Sequence, residues 1–261
     1  MSKTAEKLTV LINFYGQLID TYIQKRGGAN IVQIGANDGR INDPIYEIVM
    51  QNKHRTKILL IEPQKEVIPL LAENYRLHPQ STIAITAVGP EQDLILYRLK
   101  PEHWEALTRR HLQHSPTYRV PTGFTSHLKE HVLKHIRGNL PTSINAETSI
   151  EQMKVTSTNL DNLLKQHQFP PKIDLLHVDC EGMDDEVLYC CNIGKTCPDI
   201  INFEYRHLSV QGFAKLTDYL QNLHYLIYPW NDSDAIAVNQ SCDFYTAFGV
   251  LFSTLRDKNI T

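Results

Sequence analysis

One short segment constrains the fold of this chain more than any other. Residues 31–35 form an apolar run that ends at Gly35, and a second glycine, Gly39, follows after small and polar residues. A helical pattern of apolar residues then begins at Ile45. A strand, a glycine-containing turn and a helix in this order are typical of a nucleotide-binding α/β sheet. The two glycines would let the backbone turn tightly and approach a ligand closely.

A second buried-strand pattern, at residues 58–61, ends in the carboxylate of Glu62. Nucleotide-binding folds place an acid at about this distance, roughly 20 residues beyond the glycine turn, where it binds the ribose hydroxyls. Either feature alone is a weak signal. Together they predict that the chain binds an adenosine-type cofactor.

Further strand patterns alternate with helical ones, which predicts an α/β fold with a mostly parallel, seven-stranded sheet and helices on both faces. We expect the remaining strands at residues 82–88, 93–99, 173–179, 199–204, 225–228 and 245–252. Helices are expected at residues 127–137 and 159–167. Residues 1–28 predict an amphipathic N-terminal helix that could cap the cofactor, pack on the sheet or form a homodimer interface, and residues 29–261 predict one Rossmann-like domain.

The alternating pattern lapses between residues 100 and 152, which hold prolines at 101, 116, 121 and 141 and six of the twelve histidines. A connection of this length inside a compact domain is usually functional or disordered. We interpret it as a helical and loop insertion that acts as a lid over the ligand crevice. A solvated insertion with no part in the chemistry is the alternative.

Composition narrows the function. The formal net charge of −3 offers no basic field, so nucleic acid is not expected as a partner. The N-terminal apolar residues are too mixed with polar ones for a membrane span. The five cysteines are odd in number and contain no C-x-x-C pair. That pattern favours free thiols in a reducing, cytoplasmic setting.

Several motifs together resemble the FkbM family of S-adenosylmethionine-dependent methyltransferases. The resemblance rests on residues 33–39 (QIGANDG), 61–63 (IEP), 160–164 (LDNLL) and 173–182 (IDLLHVDCEG). It implies a class I methyltransferase fold and S-adenosylmethionine as the cofactor. It also implies O-methylation of a small-molecule, natural-product or glycosyl acceptor.

The resemblance and the position of the motifs at strand ends place the cofactor in the crevice beyond the carboxyl ends of the strands. Glu62 would accept hydrogen bonds from the ribose, and Ala87 and Val88 would wall the adenine. The full cofactor-binding prediction is Gly35, Asn37, Asp38, Gly39, Glu62, Gln64, Ala87, Val88 and Asp179.

Three carboxylates, Asp179, Glu181 and Glu204, are expected at one sheet edge near the transferable methyl group. They could orient the substrate, stabilise the sulfonium, or bind Mg²⁺ through Asp179 and Glu204. His207, just after the fifth strand of the predicted sheet, is the candidate general base, with a simple loop residue as the alternative.

The predicted catalytic residues are therefore His207, Asp179 and Glu204, and the predicted substrate contacts are Glu181, His177 and Tyr205. A core position is the other interpretation of His177. His127, His131 and His135 share one helical face and could bind a transition metal, although a solvated or substrate-facing stripe is the favoured interpretation.

Two other functions stay open at this point. Gln33 and His177 stand where the family usually has an acidic residue and a lysine, which motivates a non-catalytic scaffold that binds a partner protein. The strand–turn–helix and Glu62 also suit an NAD-dependent oxidoreductase, but the third glycine of a dinucleotide fingerprint is missing.

Overall fold

The computed structural model describes the backbone of residues 3–111 and 121–256, and the side chains of residues 15–109 and 121–250. The strands of this part are β1 (Ala29–Ile34), β2 (Thr56–Ile61), β3 (Ser81–Ala84), β4 (Ala87–Val88), β5 (Asp93–Leu99), β6 (Ile150–Thr158), β7 (Leu175–Val178), β8 (Ile200–Glu204), β9 (Tyr225–Pro229) and β10 (Asp234–Asn239). The α-helices are α1 (Lys3–Arg26), α2 (Tyr46–Gln51), α3 (Ile68–Tyr75), α4 (Trp104–His111), α5 (Lys129–Ile136), α6 (Leu160–Gln166), α7 (Asp184–Cys190), α8 (Ile193–Thr196), α9 (Val210–Asn222) and α10 (Tyr245–Arg256). Short 3-10 turns lie at Pro101–His103 and Thr122–Phe124.

Within the described residues, the main sheet has seven strands in the order β3-β2-β1-β7-β8-β10-β9. The strands β3, β2, β1, β7 and β8 are parallel, whereas β10 runs antiparallel to both of its neighbours. The order reverses at β1, where the chain first builds outward through β2 and β3 and later returns through β7. That reversal opens a crevice at the carboxyl ends of β1 and β7. The predicted mostly parallel seven-stranded sheet is confirmed.

Helices cover both faces of the sheet, as predicted. One apolar core lies beneath α6, α7 and α9, and includes Leu163, Val187 and Leu216. The other lies beneath α1 and includes Tyr15 and Ile19. The central strands are buried on both faces, which explains why they appear in the sequence as continuous apolar runs rather than alternating ones.

A polar row crosses the centre of the sheet beneath α1. Gln33 pairs in register with His177, and His177 pairs with Asn202. His177 Nδ1 lies 3.2 Å from Asn202 Nδ2 and 3.4 Å from the Tyr15 hydroxyl. The Trp230 indole donates to Asn202 Oδ1 at 2.9 Å. Tyr15, His177, Asn202 and Trp230 are all buried away from water. Their contacts with one another therefore replace the hydrogen bonds that water would make.

A second, three-stranded sheet has the order β4-β6-β5 in the described residues. The antiparallel strands β5 and β6 form a ribbon in which Leu99 pairs with Ile150, and the insertion leaves and re-enters the fold at this pair. Helix α5 packs on the ribbon through a small apolar core that includes Leu133 and Ile136. The residues from 112 to 120, also part of the predicted lid, lie outside the described residues.

The last predicted strand is wrong. Residues 245–252 belong to helix α10, and the seventh strand is instead β10, Asp234–Asn239. Phe244 and Phe248 are both buried and stand four residues apart, which is helical spacing. The aromatic and β-branched content of the segment favoured a strand. The strand β10 was missed because two of its central residues are alanines, which are poor strand formers.

Two other element predictions need correction. The strand expected at residues 82–88 divides into β3, in the main sheet, and β4, which pairs with β6. The helix expected at residues 127–137 begins only at Lys129, so His127 precedes it. The helix expected at residues 159–167 is present as α6, and its N-cap is Asn159, whose side chain accepts from Asn162 N–H.

No helix in the described part of the chain is both long and apolar enough to cross a membrane. The cysteines, Cys180, Cys190, Cys191, Cys197 and Cys242, are free thiols.

Candidate active site

A cleft lies beyond the carboxyl ends of β1, β2 and β7. Its floor holds Gly35, Glu62 and Asp179, which end these three strands. The turn after β1, the strand β4 and the 3-10 turn of the insertion close its sides. Apolar side chains form much of its wall, namely Ile34, Ile61, Ala87, Val88, Leu94, Leu96, Met183 and Val187.

Glu62 is fixed in this cleft by backbone donors. Its Oε1 accepts from the N–H of Gln64 and its Oε2 from the N–H of Asn37, both at 2.8 Å. The carboxylate is buried. The two backbone bonds fix the orientation of the carboxylate before any ligand arrives.

The turns around the cleft adopt left-handed backbone conformations. Gly35 has φ of 80°, and a Cβ placed there would lie 1.9 Å from the carbonyl oxygen of Asp179. Only glycine therefore allows β1 and β7 to approach each other at this point. Asn37 and Glu181 have φ of 49°, an uncommon conformation for residues with side chains that often marks functional sites.

The insertion is hydrogen-bonded to three loops of the cleft. Thr122 donates to Asn37 Oδ1 at 3.0 Å, after β1, and Thr125 donates to Gln64 Oε1 at 2.7 Å, after β2. Ser126 donates to the carbonyl of Glu181 at 2.8 Å, after β7. These bonds hold residues 122–126 over the cleft.

Six of the predicted site residues lie apart from the cleft lining: Asp38, Gly39, His177, Glu204, Tyr205 and His207. A Cβ on Gly39 would meet the side chains of Leu71 and Tyr75 on α3, so this glycine serves helix packing. Asp38 accepts from the backbone of its own turn, at Arg40 and Ile41. His177 and Tyr205 pack in other parts of the fold, and Glu204 and His207 belong to a group of acids and imidazoles next to the cleft.

His177 belongs to the buried polar row beneath α1, described above. Tyr205 follows β8, donates its hydroxyl to the Asn231 carbonyl at 2.9 Å, and stacks on Phe213. The structure therefore separates both residues from Glu181, which does line the cleft. The cleft also contains the other predicted cofactor residues: Gly35, Asn37, Glu62, Gln64, Ala87, Val88 and Asp179.

Buried carboxylates gather at the ends of β7 and β8. Asp184 is fully buried and accepts from the N–H groups of Glu204 and Cys180, at 3.1 and 3.4 Å. Burial, followed by the nearby charge of Asp179, raises the pKa of Asp184 well above its ordinary value. Burial and then Asp179, Glu181 and Asp184 likewise raise the pKa of Glu204.

Three imidazoles pack against these acids. His131 and His135 come from α5, and the His207 ring lies 4.5 Å from that of His131 and 6.3 Å from that of His135. His207 Nε2 is 3.5 Å from Glu204 Oε1 and 3.9 Å from Glu181 Oε2. Burial is the first cause that lowers the pKa of His135 and His207 to about 4, so both imidazoles are neutral at pH 7. We call His131, His135, His207, Glu181 and Glu204 the histidine–carboxylate cluster.

Comparison with known proteins decides the family. The model of the methyltransferase FkbM domain matches residues 33–227, well over half of the chain. The chain belongs to the FkbM methyltransferase family. The resemblance carried by the motifs is thus confirmed, and S-adenosylmethionine-dependent methyl transfer is the activity of the chain. A search of curated proteins finds no match to this FkbM methyltransferase.

Solved methyltransferase structures resemble the fold distantly. PaMTH1 from Podospora anserina, bound to S-adenosylhomocysteine, is 11% identical, with 86% of this chain and 77% of that chain covered and a TM-score of 0.43. An O-methyltransferase from Bacillus cereus, also in complex with S-adenosylhomocysteine, is 9% identical, with coverages of 91% and 92% and a TM-score of 0.39. At TM-scores this low, the likeness says nothing of what this chain binds.

Sequence reasoning missed several residues of this FkbM methyltransferase site. The insertion residues Thr122, Thr125 and Ser126 are short polar side chains in a proline-flanked stretch, and no spacing links them to the strand-end loops they contact. Asp184 is one of three consecutive acids in the first turn of α7, and nothing in the sequence distinguishes it from the other two. The signal that could have found it is its proximity to the end of β7, just after Gly182, where a buried acceptor can hold the N–H groups of two strand ends.

Proposed function

We propose that this FkbM methyltransferase methylates a hydroxyl group of a small, polyhydroxylated acceptor such as a glycoside. The observation that carries the proposal is the position of Asp179 and Glu181 in the cleft, next to the floor formed by Gly35 and Glu62. Carboxylates accept hydrogen bonds from hydroxyl groups. A neighbouring pair of them can bind adjacent hydroxyls of one sugar ring.

The residues of the cleft fit S-adenosylmethionine, which supplies the methyl group when bound. Glu62, oriented by two backbone donors, would accept hydrogen bonds from the ribose hydroxyls. Ala87 and Val88 offer a small apolar wall for the adenine. Gln64 lies beside Glu62 and would reach the ribose or the adenine edge.

Asp179 and Glu181 would orient the acceptor. Methyl transfer is an in-line displacement, so the main task of the protein is to hold the reacting oxygen in line with the methyl group. Asp179 ends β7 on the cleft floor and would accept the hydrogen bond of the reacting hydroxyl, which fixes the oxygen and favours loss of its proton. Glu181 would bind a neighbouring hydroxyl.

The insertion would exclude water from the reaction. Thr122 and Thr125 bond to the loops after β1 and β2, and Ser126 bonds to the loop after β7. A segment held at three points over the cleft has to release these bonds for a ligand to enter. We therefore assign the insertion the role of a lid, and its other surfaces would select the acceptor.

His207 remains a candidate base on sequence grounds, but its Nε2 lies toward Glu204 and Glu181. A proton passed from the acceptor to His207 would travel through Glu181. The expected magnesium pair, Asp179 and Glu204, is not the grouping that the geometry favours, since Glu204 is grouped with Glu181 and His207.

The first test is calorimetric titration of S-adenosylhomocysteine into protein stripped of metal. The Glu62→Gln variant keeps the size of the side chain but removes its charge, so affinity should fall by about 10- to 100-fold. Glu73→Gln is the matched control, because Glu73 is an exposed carboxylate on α3 paired with Arg76. Its affinity should equal that of the unmodified protein.

Methyl transfer is then measured with a panel of glycosides, polyols and amines, with isotope-labelled S-adenosylmethionine and mass spectrometry of the products. Methyl ethers that disappear with Asp179→Asn support the proposal. Methylamines as the only products would replace hydroxyl transfer with N-methylation. Cofactor binding without transfer to any acceptor would favour the partner-binding scaffold.

A further inference from the structure

Three histidines converge on one point at the border between the insertion and the sheet. His131 and His135 stand one turn apart on α5 and face the same way, with ring centroids 4.6 Å apart. His207, from the loop after β8, meets both. One ring nitrogen from each of the three lies within 4.8 Å of the other two. His207 is far from the other two in the sequence, so the fold itself brings it to them.

Carboxylates complete the set. Glu181 Oε2 lies 3.2 Å from His131 Nε2 and 3.9 Å from His207 Nε2. Glu204 approaches from the other side, with Oε1 at 3.5 Å from His207 Nε2. The side chains of these acids are 17% and 14% exposed, so both are largely withdrawn from water.

The spacing suits a tetrahedral metal ion. Nitrogen and oxygen ligands lie about 2.0–2.2 Å from Zn²⁺, which puts neighbouring ligand atoms of a tetrahedron roughly 3.3–3.5 Å apart. The 3.2 Å between His131 and Glu181 and the 3.9 Å between His207 and Glu181 bracket this value. The three imidazole nitrogens lie within 4.8 Å of one another, so the side chains would draw together to complete the coordination.

Three buried atoms of the cluster lack a hydrogen-bond partner in the described part of the chain, His131 Nε2, His135 Nε2 and Glu204 Oε2, although His131 Nε2 lies 3.2 Å from Glu181 Oε2. Buried polar atoms are normally paired, because leaving one unpaired costs about 1–3 kcal/mol. The Nε2 of His135 belongs to the converging set of imidazoles. A cation bound among these atoms would supply the missing interaction.

We propose that His131, His135, His207 and Glu181 bind a transition metal ion of the Zn²⁺ class. Imidazole nitrogens favour Zn²⁺ and related ions, whereas Mg²⁺ prefers oxygen ligands. Glu204 Oε1 approaches the same Nε2 of His207 at 3.5 Å, so this carboxylate would lie beside the bound ion and offset its charge. The bound ion would join α5 of the insertion to the loops after β7 and β8.

This assignment gives His207 a role that excludes its use as a free base, because one Nε2 lone pair cannot bind a metal and accept a proton together. It also differs from the solvated stripe expected on α5, since His127 lies outside the set while His207 enters it. The metal site does not rest on the proposed methyl transfer, and Zn²⁺ binding is measured without cofactor.

The experiment titrates Zn²⁺ into chelator-treated protein in competition with a chromophoric chelator. Co²⁺ is used in parallel, because its visible absorption reports a tetrahedral nitrogen and oxygen environment. We expect one tight site in the unmodified protein and a loss of affinity of more than about 100-fold in His131→Ala, His135→Ala and His207→Ala, since each change removes a ligand. His127→Ala is the matched control and should bind as tightly as the unmodified protein.

Circular dichroism melts of the metal-free variants check folding, and His135→Gln serves where the alanine variant unfolds. Absence of tight binding by the unmodified protein would overturn the proposal. Equal losses in His127→Ala and His131→Ala would also overturn it, because they would indicate binding by histidines in general. Retained Zn²⁺ binding in His207→Ala would remove His207 from the site and return it to the role of base. Titration of S-adenosylhomocysteine into the same samples separates failure of the metal site from failure of the cofactor site.

Discussion

The cofactor cleft and the histidine–carboxylate cluster share Glu181 but differ in whether their polar atoms have hydrogen-bond partners. In the cleft, the Glu62 carboxylate already accepts two backbone hydrogen bonds, and Gln64 bonds to the insertion. In the cluster, acids and imidazoles crowd together, and His135 Nε2 and Glu204 Oε2 have no hydrogen-bond partner among the described residues. Acceptors already oriented by the backbone suit the hydroxyl groups of a ligand. A site of converging lone pairs suits a cation.

The largest expected effect comes from the strand contact under the cleft. Gly35→Ala would place a methyl group 1.9 Å from the Asp179 carbonyl oxygen at a φ of 80°, and so force β1 and β7 apart. We expect a loss of roughly 3 kcal/mol or more in the free energy of unfolding, measured by urea denaturation. Gly138→Ala is the control, because φ is 83° there but nothing lies within 4 Å of the added carbon. It should cost about 1 kcal/mol. Equal losses would show that the approach of the strands is not the constraint.

The second prediction concerns Asp184, a buried acid whose oxygens are hydrogen-bonded, in contrast to the unpaired atoms of the neighbouring cluster. Asp184 accepts from two backbone N–H groups at the strand ends, so Asp184→Leu leaves both unpaired and should cost about 2–4 kcal/mol of unfolding free energy. Asp184→Asn keeps one of the two accepting oxygens and should cost roughly half as much, about 1–2 kcal/mol. Chemical denaturation at pH 7 measures both. If the leucine variant is as stable as the asparagine variant, the two N–H groups do not depend on this side chain.

His78, a buried histidine with hydrogen-bond partners, allows a prediction for how stability depends on pH. His78 is buried, with Nε2 3.0 Å from Thr56 Oγ1 and Nδ1 accepting from Gln80 N–H at 3.2 Å. Burial lowers the pKa of His78 to about 4 from 6.5. The unfolded chain therefore takes up this proton first as the pH falls, so stability drops between pH 6.5 and 4 and is unaffected by this group above 6.5.

His78→Gln cannot titrate and should remove about 1–3 kcal/mol of that acid-dependent loss. The measurement is urea denaturation of both proteins at a series of pH values between 7 and 4. Parallel stability curves across this range would show that His78 titrates alike in the folded and unfolded chains.

The smallest effect is expected at the insertion. Thr125→Val deletes the hydroxyl that donates to Gln64, one of three bonds that hold residues 122–126 over the cleft. S-adenosylhomocysteine should dissociate faster by up to about tenfold, since one neutral hydrogen bond is worth roughly 1 kcal/mol. Stopped-flow measurement checks this, with Thr142→Val, an exposed threonine of the same insertion, as the control. An unchanged dissociation rate in both would argue against a lid at this position.

The cleft was more predictable from sequence than the cluster, and the reason is physical. Glu62 and Gly35 lie at the ends of buried strands. The apolar run before each residue predicts both the strand and the position where it ends. His177 also lies near the end of a buried strand, yet its side chain points to the face of the sheet that α1 covers. Burial of β7 on both faces removes the alternation that would have shown which way each side chain points.

The cluster depends on tertiary contacts that leave no periodic signal. Helical spacing puts His131 and His135 together, but nothing in the sequence shows that His207 would reach them. The strand assigned to residues 245–252 failed for a related reason. Aromatic and β-branched residues suit a strand by composition, and only the burial of Phe244 and Phe248 on one side shows the helix.

The pairing of Leu99 with Ile150 has a consequence for how such an enzyme changes its acceptor. Since the insertion departs and returns at adjacent residues of a two-stranded ribbon, its length and content can vary while the register of the ribbon and the strand ends that form the cleft floor stay fixed. The insertion can therefore be exchanged while the sheet that binds the cofactor stays the same. Grafting a different sequence between these two residues would be the direct route to a new acceptor preference.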